Sequence, residues 1–546
     1  KIMKNFSPRT LLWLVFAGSL LLLWNTWQLQ HAPVPTTPTA QVAAASGVAG
    51  TSDSAGAAGA PAADSVQLKG QPLVLENDVL RLKLNTEGGV IQFAELMKFK
   101  NSSDKNLNVL LLNADAHSLY VTRSGLANPE LNLNHKTMFT ASAPETVMKD
   151  GQDAVSVTLM AQNNGVTLRK IYTLKRGSYS VDVKHEIDND SAAAVAPRLY
   201  MDIVRDASQI GDSQFYSTYT GPVVYNDEDK FKKVAFEEIA KGKVNYTPKA
   251  NNGWVGVVQH YFVSSWVMPQ GTDRTFYTDT VQTAPFAAYS VGQITNLPSI
   301  APAGKASFDA QLYVGPQDQK TLATVAPGLD LAVDYGWLTI IAKPVHWFMG
   351  ILHAFIGNWG WTIIALTVLM KLAFFPLTAA SYKSMAKMKA LAPKLKVLQE
   401  DYGDDKLKLN QATMELYKSE KVNPAGGCLP MLVQMPIFIA LYYVLQAAVE
   451  MRGAPWMGWI KDLSAPDPLW ILPVIYMVTM FIQTKLNPTP ADPMQARMML
   501  MMPLIFGVTF FFFPSGLVLY WVVSNVFSIG QQWYINKHIT NKPVKA

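Results

Sequence analysis

The sequence predicts a polytopic α-helical membrane protein of six spans that carries a large all-β domain outside the membrane. Apolar runs of span length lie near the start of the chain and in its last third. Between them the texture changes to short runs of period two. Only 16% of the 546 residues are charged and 49% are hydrophobic, a balance far from that of a soluble protein.

Five runs are apolar enough to sit in lipid: Leu11 to Trp27, Trp361 to Leu377, Leu429 to Val449, Leu469 to Ile482 and Met498 to Phe513. A sixth, Leu517 to Ile535, is interrupted by polar residues. Lys1, Lys4 and Arg9 precede the first run, which ends in Trp24 and Trp27 without a small-residue cleavage site. Residues 1–30 are therefore expected to be an uncleaved anchor with its amino end inside. Residues 31–67, rich in Ala, Pro, Thr, Ser and Gly, cannot bury a core and form a flexible tether.

Residues 68–325 are expected to form a β-sandwich. Val155, Val157 and Leu159, then Val181, Val183, His185 and Ile187, recur at period two. Turn signals at Glu87-Gly88-Gly89, Asn163-Asn164-Gly165 and Lys175-Arg176-Gly177 punctuate the strands. The single cysteine, Cys428, makes no internal disulfide, so this domain is held by its own core.

Residues 326–358 read as a connector followed by an interfacial amphipathic helix, with Trp337, Trp347 and Phe348 against Lys343, His346 and His353 and a division at Pro344. A buried connector helix is the alternative. The second span follows at 359–377, a helical hairpin at 378–428, spans three to six at 429–535 and a basic tail at 536–546. Cations set the orientation. Thr378 to Cys428 holds nine lysines against six acids, whereas Glu450 to Pro468 holds two cations against three acids. The first loop is then cytoplasmic and the second external, which places the β-domain outside and the tail inside. The net charge of +6 is a topology signal, because the cations flank spans instead of forming one basic face with aromatics.

Lys371 stands alone in the apolar stretch LTVLMKLAFFPLTAA, with Thr367 one turn before it and Phe374, Phe375 and Pro376 just after. Two readings stand: a lysine that snorkels to headgroups, or a cation in a wet groove between spans. Trp521, Asn525, Ser528 and Gln532 follow one another at steps of four, three and four on one helical face, and Gln434 and Gln446 punctuate the third span. Such polar side chains line a groove or glue helices together. The runs Leu469 to Ile482 and Met498 to Phe513, 14 and 16 residues long, are short for a bilayer core of about 30 Å. Short spans thin the bilayer or keep their ends wet. In the hairpin Met385, Met388, Leu391, Leu395 and Leu398 make an adaptable apolar stripe. Its lysines are a solvated topology signal, or they meet acidic RNA or headgroups.

Four stretches together carry a resemblance: LDLAVDYGW from Leu329, KVNPAGGC from Lys421, QMPIF from Gln434 and FPSGLVLY from Phe513. Over nearly its whole length the chain resembles the YidC/Oxa/Alb family of membrane protein insertases. The resemblance implies a five-helix insertase core in the bacterial cell inner membrane, enclosing a hydrophilic groove open to cytoplasm and lipid. An anchor and a periplasmic β-supersandwich precede it. Lys371, Thr367, Gln434, Phe438, Tyr520, Trp521 and Asn525 would form the substrate groove, and Met385, Met388, Lys383 and Lys387 would recruit substrate. Lys371 stands where the family carries an arginine, so the charge is kept and the bidentate fork lost. Trp521 stands where a tyrosine is common, and an indole cannot accept a hydrogen bond.

The implied partners are nascent membrane proteins, the Sec translocon, the ribosome and the phospholipid bilayer, met by a monomer. The implied activity is insertion and chaperoning without covalent chemistry, so the protein is no enzyme and takes no cofactor or metal. The lack of a GxxxxGK loop agrees with independence from ATP. Two alternatives have distinct requirements. A secondary transporter needs inverted repeats and paired broken helices. A membrane-tethered carbohydrate-binding enzyme needs a carboxylate beside His117, His135, His185 or His260 in one concave site.

Overall fold

The computed structural model describes residues 68–537 apart from 102–103, 116, 209–217, 282, 284–286, 403–404, 421, 423–428, 488–492 and 536. The expected anchor and tether, nearly all of the 421–428 motif and the tail beyond Lys537 lie outside the described residues.

Alternation builds the first domain. Along the strand Ala154–Asn163, Val155, Val157, Leu159 and Ala161 are buried and their neighbours face out. The next strand, Val166–Lys175, returns through a two-residue loop in which Asn164 and Gly165 both have positive φ, 49° and 74°, as a hairpin turn matched to strand twist requires. The strand Ser180–Asn189 buries Val181, Val183, His185 and Ile187 together. Strands assemble into a ten-stranded and a nine-stranded sheet, antiparallel except for one edge pair. Their inner faces share one core in which Leu75, Leu82, Leu199 and Ile203 of one sheet meet Leu159, Leu168, Val183 and Leu312 of the other.

The sandwich sits on the helical region through interlocked cores. Val449, the last residue of the third expected span, lies just past the end of its helix at Ala447, is 3% exposed and belongs to the sandwich core. In return Val223, Trp254, Val263 and Tyr313 of the nine-stranded sheet pack with Leu329, Tyr335 and Leu338 of the connector. The Trp254 indole donates to the Pro327 carbonyl at 3.1 Å, and Lys233 pairs with Asp334 at 2.5 Å.

Helices of the second region are numbered here in order. Helix α1 (Thr339–Ile356) runs through Pro344 unbroken, so the expected division there does not occur. Met349 and Ala342 face inward, while Trp337, Ile340, Trp347 and Phe355 are exposed. Among the described residues, Gly336–Ile356 is the one helix long and apolar enough to cross a membrane unaided. Helices α2 (Trp359–Ala373) and α3 (Phe375–Ala390) are together long enough, but they are bent by 65° between them. Pro376 explains the bend, because it has no N–H for the Leu372 carbonyl and its ring crowds that turn. The expected hairpin helix is likewise divided. Pro393 separates α3 from α4 (Ala392–Tyr402), and α4 pairs with α5 (Lys406–Ser419), whose N-terminus Asp405 caps through the N–H groups of Leu407 and Lys408.

Helices α6 (Leu429–Ala447), α7 (Ile471–Leu486), α8 (Pro493–Thr509) and α9 (Ser515–Ile535) complete the region. One loop closes their far ends. The N–H groups of Ser515 and Gly516, orphaned at the start of α9, donate to the carbonyls of Ala465 and Leu463 at 2.8 and 2.9 Å. The buried Asp467 carboxylate accepts from the Trp459 indole at 2.9 Å and from the N–H groups of Leu469 and Leu472 at 3.0 and 2.8 Å, which caps α7.

Candidate functional site

Helices α2 and α9 pack side by side, and α6 and α3 both reach α9. Lys371 lies near the end of α2, and its side chain turns into this junction. The ammonium donates to Ser528 Oγ at 2.8 Å and reaches Gln434 Oε1 at 3.4 Å. Thr367 and Tyr520 line the same small cavity, which leaves about 20 Å³ open to water, room for about one molecule. Thr367 presents little polarity to it, because its hydroxyl donates back to the Ile363 carbonyl at 2.7 Å and the residue is 1% exposed. The break after α2 frees the carbonyl of Lys371, which accepts from the side-chain amide of Gln531 at 3.2 Å. Ser528 and Gln531 are thus the two α9 residues that hold Lys371, one by its ammonium and the other by its main chain.

The aromatic candidates form the other half of the site. Phe438 on α6 lies 4.4 Å from Trp521 and 6.0 Å from Tyr520, ring centre to ring centre. Trp521 also meets Tyr476 and Phe510 edge-on. The polar stripe on α9 divides its work. Ser528 faces Lys371, whereas Asn525 reaches Thr479 Oγ1 at 3.4 Å and Gln532 reaches the Leu486 carbonyl at 3.3 Å, so those two join α9 to α7. Lys371, Thr367, Gln434 and Tyr520 are therefore brought together, with Phe438 and Trp521 beside them and Asn525 apart. Sequence reasoning placed Ser528 on the stripe but not on the ammonium, and its spacing from Trp521 was the available signal.

Met385 and Met388 are half-buried on α3, and Lys383 and Lys387 are exposed on the same helix. These four lie on the bent continuation of α2 and not on the paired helices α4 and α5. His135 and His185 are sealed in the sandwich and do not make a carbohydrate site. His135 accompanies Tyr200 at 2.6 Å and Arg123 at 3.4 Å, and Arg123 grips Asp202 through two nitrogens at 2.9 and 2.5 Å. That cluster is sealed in the sandwich core. Burial, helped by the neighbouring Arg123 charge, pushes His135 down to about 2, and burial pushes His185 down to about 3. Among the described residues no three His, Cys, Asp or Glu side chains gather as a metal site would.

The all-β domain seated on a helical region with an inward-facing cation is divided in the same way by comparison with known proteins. The family model of the YidC periplasmic domain matches residues 73–348 and that of the 60Kd inner membrane protein matches residues 351–542. The membrane protein insertase YidC of Cupriavidus necator is 51% identical over 545 residues, 97% of each chain. That of Bordetella petrii is 49% identical over 561 residues, 98% of this chain and 99% of its own. A solved structure of an active YidC insertase with its first transmembrane domain aligns with 85% of this chain and 92% of its own, at 18% identity and a TM-score of 0.40. The chain belongs to the YidC family of membrane protein insertases. It is an inner-membrane insertase with a periplasmic β-domain, its substrates are nascent membrane proteins, and it is not an enzyme.

Proposed function

We propose that the insertase works through a groove floored by Lys371, Ser528 and Gln434 and flanked by Thr367, Phe438, Tyr520, Trp521 and Asn525. The observation that carries this reading is the direction of the Lys371 ammonium, inward to Ser528 at 2.8 Å instead of out towards headgroups. A cation held by one hydroxyl and one amide oxygen, with no carboxylate partner among the described residues, is open to an acidic segment of an incoming chain. A polypeptide segment needs more room than one water, so its entry parts α2 from α6 and α9. Its apolar helix then passes into lipid, where each Leu, Ile, Phe or Val favours insertion by about 0.3–0.6 kcal/mol. No nucleotide is required.

In the same reading the chain crosses the membrane six times, with the hairpin and C-terminus in the cytoplasm. Met385, Met388, Lys383 and Lys387 recruit clients from the ribosome. The insertase acts and chaperones as a monomer, alone or beside the Sec translocon, and α1 lies in the outer interface. The test is depletion of the protein followed by protease mapping of newly made membrane proteins, with complementation by Lys371 variants. Normal protection of client periplasmic segments under depletion would overturn the proposal.

A further inference from the structure

The bend after α2 leaves main-chain oxygens without their helical partners. The Phe374 N–H still donates to the Met370 carbonyl at 3.0 Å, and across the bend regular pairing resumes where the Thr378 N–H meets the Phe374 carbonyl, also at 3.0 Å. The carbonyls of Lys371, Leu372 and Ala373 fall in the gap. Away from water such an oxygen needs a donor from elsewhere in the protein. Gln531 of α9 supplies one: it is 6% exposed, and its Nε2 donates to the Lys371 carbonyl at 3.2 Å.

The two helices run in the same direction. Ile363 packs at Gly516 near the start of α9, and Lys371 meets Ser528 and Gln531 near its end. Gln531 stands nearly one turn beyond Ser528, about 4.5 Å further along the axis and on the same face. A helical side chain leans back towards the start of its helix, whereas its carbonyl points ahead. Lys371 accordingly sends its ammonium back to Ser528 and its carbonyl forward to Gln531. Without the forward grip the carbonyl is free to return to the Phe375 N–H, which rewinds the last turn of α2 against the bend and carries the ammonium away from Ser528.

We infer that Gln531 is the positioning residue for Lys371: its amide, on the carbonyl that the bend releases, fixes the last turn of α2 on α9 so that the ammonium stands at Ser528 and faces the groove. The assignment rests on the reading of Lys371 as the groove cation. It differs from simple helix adhesion, because a residue that only glued α2 to α9 is replaceable by an apolar side chain of its size, whereas a donor to a released carbonyl is not.

The full chain is placed in nanodiscs with its single cysteine removed by Cys428→Ser and spin labels attached at Leu369→Cys and Val526→Cys, positions exposed on α2 and α9. Gln531→Met and Gln531→Leu remove the donor and keep an apolar side chain of similar size, and Gln531→His returns an N–H at similar reach. The distance between the labels, measured by pulsed electron resonance, should be the same in wild type and Gln531→His. In Gln531→Met and Gln531→Leu it should be displaced by about 1.5 Å or more, the rise of one residue. In reconstituted insertion those two variants should slow clients with translocated Asp or Glu by about fivefold, the worth of roughly one hydrogen bond, and neutral clients less, with Gln531→His restoring the rate. Unchanged distances in Gln531→Met and Gln531→Leu overturn the assignment, as does an equal loss for both kinds of client that Gln531→His does not rescue. Displaced distances that Gln531→His restores, with no dependence on client acidity, uphold the tie to Lys371 and count against Lys371 as the groove cation, so the two failures are told apart.

Discussion

The guanidinium of Arg452, on the loop that leaves α6, lies 5.6 Å from the ring centre of Tyr261 in the sandwich. It also lies 5.2 Å from Phe262 and donates to the Lys100 carbonyl at 2.8 Å. Arg452 thus clasps the two domains beside the buried Val449. Arg452→Ala should raise hydrogen exchange across residues 446–463 and in the facing strands, with a loss of about 1–2 kcal/mol at the junction. Unchanged exchange would mean that Val449 and the connector seat the sandwich without it.

Deleting residues 68–313 removes no groove atom, since Thr367, Lys371, Gln434 and Ser528 all lie on α2, α6 and α9. It does uncover Val449, Leu329 and Tyr335, each buried against the sandwich. The shortened protein should therefore insert clients at close to the normal rate while its helical region melts at a lower temperature. Lost insertion in a shortened protein whose spans are still folded would contradict this division of labour.

The sandwich should be sensitive to pH through three buried bases. Lys170 donates to the carbonyls of Gly88 and Ser124 at 2.7 and 2.6 Å, and burial lowers its ammonium from 10.5 to about 7. Between those values the unfolded chain holds a proton that the folded chain does not, so stability rises with pH across that window. Below about 7 both states are protonated and the full cost of the buried charge remains. His135 and His185, lowered to about 2 and about 3, act likewise below their ordinary 6.5. Urea midpoints followed by exchange of residues 180–189 should fall in two stages, from pH 10.5 to 7 and again from pH 6.5 towards 3, by up to about 1.4 kcal/mol per unit and group. Lys170→Met should flatten the upper stage whatever it does to absolute stability.

Much of this architecture was legible because its causes are local. Period two placed Val155, Val157 and Leu159 on a buried face, and Asn164-Gly165 specified its turn without reference to the rest of the chain. Lys371 and the proline that bends its helix were visible for the same reason. The remainder depends on which helices pack together. Nothing near Val449 says that it enters a β-domain core ending more than a hundred residues earlier. Thr367 reads as a groove hydroxyl until the Ile363 carbonyl is seen to take its proton. Ser528 and Asn525 share one helical face, yet only Ser528 meets the ammonium, because α2 meets that stripe at Ser528 while α7 takes Asn525 and Gln532 on either side of it.

The paired helices α4 and α5 expose Val397, Leu407 and Met414, an apolar face that their own pairing leaves open. Removing 392–420 spares α3, which packs on α6 and α9, so the membrane region should still assemble. Client insertion should nevertheless be lost if this face and the α3 lysines receive clients. A deletion protein that inserts at the normal rate would confine recruitment to α3.

The sharpest test concerns the pair Lys371 and Ser528. A lysine whose ammonium is held inside the bundle attracts an acidic segment through a partly low-dielectric cleft, where the Coulomb interaction exceeds its value in bulk water. The ammonium also escapes the several kcal/mol cost of facing lipid. Lys371→Arg should then insert clients well, since the charge is kept and a fork is gained. Lys371→Ala should slow clients with Asp or Glu in the translocated segment by about tenfold, the worth of roughly 1.4 kcal/mol, and slow neutral-segment clients much less. Lys371→Glu should be worse still for the acidic clients. Ser528→Ala frees the ammonium from its 2.8 Å partner without removing the charge, so acidic clients should insert at the wild-type rate or faster. A lysine that served only to anchor α2 at the headgroups predicts the reverse pattern, with no dependence on client acidity in any of the four variants. Insertion of one client with and without its periplasmic Asp and Glu residues, measured across all four, separates the two. Equal rates for acidic and neutral clients in Lys371→Ala and Lys371→Glu would remove Lys371 from the groove's work.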